Sequence, residues 1–468
     1  MNHITRKTIS GPGASALLVG LMFWACPAVS KGASPSLILS ETRLGQASSA
    51  SPVGFAFLTE RGHQFVAYYD AERRITVAGR QLDGTNWTFF HPAGVLVTNR
   101  HRDSNVTAWD AHNYLALALD RDGCLHLSGN MHADPLVYYR SRRPLDVTSL
   151  ERLDEMTGDQ EARVTYPVFF KSVAGEMLFR YRSGGSGNGS DIYNIYYPDT
   201  RTWRHLNATP VMDGEGQRNA YASAPRPGPD GLFHLVWVWR ETPDCSSSHR
   251  LSYARTRDFI HWEDSRGGPC VLPLTLKPGE VIDDAQEKQG LINGCFNFSF
   301  DAQQRPVVVY HRYDPQGNSQ LYAARPSWWG GWKILQISDW KFRWDFSGTG
   351  SLPAGIHLSA PELQADGTFV VSYDMPFGPG PGRLRFEART LRPLGALPPA
   401  PGLLPEAPPL SGYPGLQRRT AVSSCDGRTW VLQWESLPAN RDRPADTFPP
   451  ATELRLYEVL RGDSNLGN

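Results

Sequence analysis

The sequence predicts an all-β chain closed into a seven-bladed β-propeller. Three observations carry that prediction. One strand–turn–strand theme recurs seven times along the 468 residues. Its equivalent turns fall roughly 50 to 70 residues apart, the length of a blade of about four strands. No segment holds a long helical periodicity. The composition agrees, since 44 Gly, 37 Pro, 14 Trp and 18 Tyr suit short strands, many turns and surfaces that stack on sugar rings.

The N-terminal stretch comes first. Arg6 and Lys7, the apolar run from Ala16 to Ala25, and Cys26-Pro27-Ala28 have the layout of a secretory signal. This predicts a signal segment within residues 1–32, an exported protein, secreted or periplasmic, and a single propeller domain over 33–468. Lipidation at Cys26 is the weaker alternative, because Phe23 and Trp24 stand where small aliphatic residues are preferred. No later run is long and apolar enough to cross a bilayer, so no membrane span is expected.

The repeats follow in order. Val53–Leu58, Gln64–Tyr69 and Arg74–Ala78 with Trp87 form the first, and Leu115–Leu119 and Leu125–Leu127 around Asp122-Gly123 the second. Val168–Phe170, Met177–Phe179 and Tyr193–Tyr197 with Trp203 form the third. Phe233–Trp239, Leu251–Tyr253 and Trp262 mark the fourth, and Phe296–Phe300, Pro306–Tyr310, Gln320–Tyr322 and Trp332 the fifth. Asp366-Gly367 with Phe369–Tyr373 and Asp426-Gly427 with Trp430–Trp434 mark the last two, and the early strand Leu37–Leu39 is expected to complete the final blade. The Pro-rich run from Pro398 to Pro409 reads as an excursion between blades.

Basic and acidic residues balance at 47 each, which excludes an overall field that would select nucleic acid or an anionic membrane surface. Beyond the signal, Cys124, Cys245, Cys270, Cys295 and Cys425 remain, an odd set in which Cys245 and Cys270 are the expected disulfide. No CxxC spacing indicates a zinc site, no metal ligand can be named, and no cofactor is required by these residues.

The chemistry concentrates between Asp110 and Gly189. Asp110-Ala111-His112-Asn113, Met131-His132, Thr165-Tyr166-Pro167 and Arg180-Tyr181-Arg182 are followed by the glycine-rich run to Gly189. Two histidines, a tyrosine and an arginine between strands suit removal of a proton beside a carboxylate, neutralisation of that carboxylate and protonation of a departing sugar oxygen. Arg182 is the expected carboxylate clamp, because a guanidinium makes two parallel hydrogen bonds and keeps its charge. Arg180, two residues away on the same strand face, is the other candidate. His112 leads as base, with Asp110 two residues before it. Tyr166 is placed as the acid, or as combined base and acid, and His132 as an orienting group or a partner in the base role. The glycine-rich run lacks the lysine of a phosphate loop and reads as a tight turn near the ligand. His126 and His234 read as core residues, His311 as lining the funnel, and Trp328-Trp329 as either sugar-stacking or blade-end residues.

Gln64–Asp70, Asp110–Asn113, Thr165–Pro167, Phe179–Arg182, Trp237–Thr242, Leu251–Arg255 and Leu291–Asn293 together resemble the BNR-repeat seven-bladed propeller family that includes ulvan lyases and rhamnosyl-α-1,4-glucuronate lyases. That resemblance implies a polysaccharide lyase cleaving rhamnose–uronic acid linkages by β-elimination, in ulvan or arabinogalactan gums. It implies His112, His132, Tyr166 and Arg182 as catalytic residues. Asn113, Arg180, Tyr221, His249 and His311 are the candidate substrate contacts; the Ser246–Arg250 segment departs from the family's Asn-His-Asp-like run. It also leaves room for a structural metal ion. The expected partner is a uronic acid-containing polysaccharide, bound by a monomer. An α-L-rhamnosidase-like hydrolase and a non-catalytic glycan-binding propeller remain the alternatives; the first would use two carboxylates, and no isolated pair stands out.

Overall fold

The computed structural model describes residues 36–97, 102–277, 279–378, 380–404 and 410–460. The expected signal segment and residues 405–409 of the Pro-rich run lie outside them.

Strands follow one another as antiparallel meanders that pack face to face, a β-propeller. Among the described residues they fall into seven sheets of at least four strands and one two-stranded ribbon. Six of the sheets take their strands from consecutive chain, within 56–90, 115–153, 164–213, 219–283, 296–336 and 357–397. The remaining sheet joins both ends: Leu37–Ala47 pairs antiparallel with Thr452–Leu460, which continues into Arg428–Ser436 and Gln417–Cys425. Phe55 stacks on Trp434 at a centroid distance of 4.3 Å and packs the first meander onto that sheet.

Burial explains the strand sequences. Phe233–Arg240 is buried along its whole length, and so is Pro306–Tyr313 apart from Arg312. A strand covered on both faces must be apolar on both, which gives continuous runs in place of alternation. Farther out, Gly382–Glu387 alternates buried and half-buried positions. The recurring turns share one device. An aspartate oxygen accepts the backbone N–H groups two and four residues on, at 2.9 and 2.8 Å for Asp120, 2.9 Å for both at Asp301, and 3.0 and 2.8 Å for Asp314. Such an Asx turn satisfies donors the tight turn would otherwise strand.

His126 and His234 are fully buried. His126 bridges Asp120 at 3.3 Å and the Tyr138 hydroxyl at 2.8 Å, and Trp203 of the next sheet donates to that hydroxyl at 3.0 Å. His234 bridges Asp230 and Tyr253 in the same way. Both are core residues that tie a turn to its neighbouring strand.

The expected Cys245–Cys270 disulfide is corrected, because both thiols are free. Cys245 packs with the hydrophobic cluster around Leu321 and Trp344, whereas Cys270 packs beside Trp262 and Leu274 in a different cluster. Trp328 and Trp329 are 85% and 92% exposed on the turn between Ser319–Pro326 and Trp332–Gln336. That turn joins the strand ends opposite to those that carry His112, His132, Tyr166 and Arg182.

Candidate active site

Asp110 caps a short 3-10 turn, Ala111–Asn113, by accepting the His112 backbone N–H at 2.8 Å. The same carboxylate is hydrogen-bonded through one oxygen to Nδ1 of His112 and through the other to Nδ1 of His132. A carboxylate can only accept, so each Nδ1 carries a proton and each Nε2 bears the lone pair in the neutral ring. The two imidazoles stack with centroids 4.0 Å apart and planes 18° apart.

His132 follows the strand Leu125–Gly129 in a loop bent by left-handed Asn130 and Ala133, whose φ angles are 62° and 54°. The Asn130 side chain donates to the Ser104 and Val106 carbonyls at 2.7 and 2.9 Å, and Ala133 N–H donates to Thr165 Oγ1 at 2.8 Å. The loop is therefore pinned on both sides of the imidazole.

Tyr166 comes from the neighbouring strand Val164–Lys171, at a register shift between Thr165 and Val168. Its φ of 60° is left-handed although Pro167 follows, and a residue before proline strongly prefers extended backbone. Strain of this kind persists only where surrounding structure enforces it, typically at functional sites. Here it aims the phenol at His112, with Oη 3.0 Å from Nε2.

Arg182 lies on the adjacent strand Met177–Gly185 and is only 1% exposed. Its Nη2 donates to Thr165 Oγ1 at 2.9 Å, while Nε and Nη1 are buried with no protein acceptor. The guanidinium carbon stands 4.9 Å from the Tyr166 ring and 5.9 Å from the Tyr221 ring. A buried guanidinium with two unused donors is an anion site. Tyr221 completes the wall, bonding Ser186 Oγ at 2.6 Å and meeting the Tyr166 ring edge-on at 6.2 Å. Both side-chain polar atoms of Asn113 and of Asn219 are also buried without partners.

Charge distributes unevenly over this cluster. Burial pushes the Asp110 carboxyl up, but the charges and hydrogen bonds of His112 and His132 outweigh it and hold it well below the usual carboxylate range. Burial pulls His112 down, yet Asp110 and, beyond it, Asp442 leave it above the ordinary imidazole value. His132 is lowered, by burial first and then by His112. Tyr166 is raised by burial and by Tyr221, so it keeps its proton. Tyr221 is lowered, because Arg240, Arg182 and the Ser186 hydrogen bond outweigh burial.

The expected residues do not all converge. Arg180 is corrected as a clamp: it is buried against Asp191 at 2.6 and 2.9 Å and donates to the Ala222 and Ser223 carbonyls, so its donors are spent joining two sheets. His311 is corrected as a funnel residue. It is buried, bonds the Gly290 carbonyl through Nδ1 at 2.6 Å, packs edge-on against Tyr313 and Trp344, and burial pulls its pKa down to about 4. His249 pairs with Glu241 at 2.6 Å, and Glu241 also takes Arg218 at 2.9 Å. Two site neighbours went unpredicted. Arg240, inside the Trp237–Thr242 marker run, has its guanidinium carbon 4.1 Å from the Tyr221 ring centroid, and Asp442 approaches from the closing sheet.

Asp110, His112, His132 and Asp442 each place one donor atom within 4.8 Å of the others, residue types also found at divalent metals. Both Nδ1 atoms are already engaged by Asp110 and His112 Nε2 by Tyr166. Such bonding suits proton handling.

The glycine-rich hairpin earns its composition by close packing. Gly187 has φ 72°, and a Cβ there would meet the Thr242 backbone at 2.5 Å; a Cβ on Gly189 would stand 2.7 Å from Asn219 Oδ1 and 3.0 Å from Arg182 Cγ and Cδ. Gly189→Ala is expected to displace the guanidinium and lower turnover about 10- to 100-fold, the effect of roughly 1 Å of misplacement. Steady-state kinetics with an unchanged thermal melt would show it, and full activity would contradict the placement of Arg182.

Comparison with known proteins places the chain. Residues 63–340, more than half of it, match the family model described as a BNR repeat-containing family member. The chain is 43% identical over 172 residues to "Ulvan lyase, long isoform" of Alteromonas sp. (strain LOR), which covers 31% of this chain and 16% of that protein. It is 45% identical over 173 residues to the protein of the same name from Pseudoalteromonas sp. (strain PLSV), with the same shares. The chain thus spans a small part of the length of these curated relatives. Among solved structures, polysaccharide lyase Uly1 superposes with a TM-score of 0.60 at 14% identity, covering 91% of this chain and 100% of that one. The PL25 ulvan lyase does so with a TM-score of 0.53 at 13% identity, covering 84% and 93%. These two share the fold. With the family match running through the repeats that carry His112, His132, Tyr166 and Arg182, the chain belongs to the BNR repeat-containing family.

Proposed function

We propose that this protein is an exported polysaccharide lyase that breaks the C4–O4 bond of a uronic acid by β-elimination. The observation that carries the reading is Arg182, a buried guanidinium with two unused donors beside the His112–Tyr166 hydrogen bond. In this reading Arg182 grips the uronate carboxylate and offsets the charge that spreads into it as C5 loses its proton. The lone pair of His112 Nε2 takes that proton, with Asp110 holding Nδ1–H and steadying the imidazolium that forms. The C5–H electrons become the C4–C5 double bond, the C4–O4 bond breaks, and Tyr166 gives its proton to the leaving oxygen. Base and acid are 3.0 Å apart, which suits a proton and a leaving group on the same side of the ring. The relatives named ulvan lyase support ulvan as the substrate, and the PL25 ulvan lyase solved with bound -[GlcA(1-4)Rha3S]- supports a linkage between rhamnose and a uronic acid. The seven sheets support a single seven-bladed ring.

A hydrolase would need two carboxylates free to face the sugar. Asp110 commits both oxygens to the histidines, which disfavours that reading. Incubation with ulvan and with gum arabic is expected to raise the ultraviolet absorbance of a conjugated, unsaturated uronate. Release of free rhamnose without that absorbance would replace the lyase with a hydrolase, and binding without any change in chain length would replace it with a lectin-like propeller.

A further inference from the structure

The histidine pair faces a carboxylate that comes from the far end of the chain. Asp442 lies in the segment between Arg428–Ser436 and Thr452–Leu460 of the closing sheet, and its carboxylate stands within 4.8 Å of donor atoms of His112, His132 and Asp110. Its delivery is braced at every step. Arg441 and Asp442 are consecutive left-handed residues, with φ of 53° and 60°, a conformation that non-glycine residues hold only when their surroundings impose it. Asp442 Oδ1 accepts Ser351 N–H at 3.0 Å, and Arg441 N–H donates to the Ser351 carbonyl at 3.1 Å. Arg441 Nη1 reaches the Ser347 and Thr349 carbonyls at 2.8 and 3.2 Å. Gly350 makes the contact possible, since a Cβ there would stand 2.6 Å from the Arg441 carbonyl oxygen. Gly348 in turn is held by Cys245 N–H at 3.0 Å and Asp244 Oδ1 at 2.7 Å. Two loops from different sheets therefore lock one another, and what they hold over the histidines is a carboxylate.

We infer that Asp442 is a positioning residue, a second carboxylate that shares with Asp110 the charge of the stacked histidines. The inference rests on the elimination reading above. Two imidazoles in contact cannot both accept protons readily against one carboxylate, because like charges so close oppose each other. The groups facing His112 are Asp110 from its own turn, His132 from the loop after Leu125–Gly129, Tyr166 and Arg182 from the next sheet, and Asp442 from the closing sheet. Burial and Arg182 pull His112 down, while Asp110 and Asp442 push it up, and the net direction is up. A base with a raised pKa is free only at higher pH, so Asp442 moves the acid limb of the rate profile upward.

Asp442→Asn tests this. Asparagine keeps an oxygen for Ser351 and tolerates left-handed backbone, so only the charge is lost. Selectively labelled histidine, followed by NMR titration and assigned with a His112→Gln control, is expected to show His112 titrating lower by on the order of one pH unit. The acid limb of kcat/KM for unsaturated product should move down with it, and the alkaline plateau should stay within about threefold of wild type. Should the variant not fold, Arg441→Ala, which loosens the support without changing the carboxylate, must shift the titration in the same direction. An unmoved His112 titration in a folded variant overturns the inference. Absence of unsaturated product from wild type would instead overturn the lyase reading, and the NMR titration would still decide the role of Asp442.

Discussion

Replacing Tyr166 with phenylalanine is expected to lower kcat/KM for elimination about 10²- to 10⁴-fold, the contribution of a positioned general acid or base. The substitution is narrow. Phenylalanine keeps the edge-on contact with Tyr221 and the ring beside Arg182, and it removes only the hydroxyl that meets His112 Nε2 at 3.0 Å. Circular dichroism and the melting temperature should therefore match wild type while product absorbance collapses. Near wild-type turnover in Tyr166→Phe would remove the proposed acid and leave one of the two histidines to protonate the leaving oxygen.

Arg182→Ala is expected to cost about 10²- to 10³-fold in kcat or more, as loss of a preorganised group that stabilises developing negative charge does. Arg182→Lys should recover little of it, because an ammonium lacks the planar fork that binds a carboxylate through two parallel bonds. Thr165 Oγ1 would keep its bond from Ala133 N–H in either variant, so the His132 loop should hold its place. Steady-state kinetics separate this from a binding role: a rise in KM at constant kcat would mean that Arg182 holds substrate and transition state equally.

Much of this was legible in the chain. The sheets follow the strand–turn repeats because a strand buried on both faces has to be an apolar run, and Asp-anchored turns punctuate those runs visibly. His112, His132, Tyr166 and Arg182 could be grouped because their residue types, in that order between predicted strands, suit proton removal beside a carboxylate and match the set that the family resemblance implies. Depth within a sheet was not legible. Arg180 and Arg182 share a strand face, but Arg180 sits one pleat deeper, reaches diagonally to Asp191, and is consumed there. His311 follows an apolar run in the sequence as a rim residue would, yet it lies within the strand Pro306–Tyr313 and Trp344 packs against it. Asp442 carried no signal at all, because its nearness to His112 exists only once the closing sheet has formed. The Cys245–Cys270 expectation failed because nearness along the chain says nothing about which side of a sheet a thiol packs against.

The pairing of Leu37–Ala47 with Thr452–Leu460 reaches beyond architecture. That first strand is exposed over most of its length and covers the flank of its partner. If it peels away, Thr452–Leu460 presents a row of unpaired N–H and C=O groups, a template onto which the same strand of another molecule can add. Destabilised preparations of this protein should therefore lose solubility through strand exchange at that seam, and because Asp442 reaches the histidines from the same sheet, the cluster should be disturbed along with it.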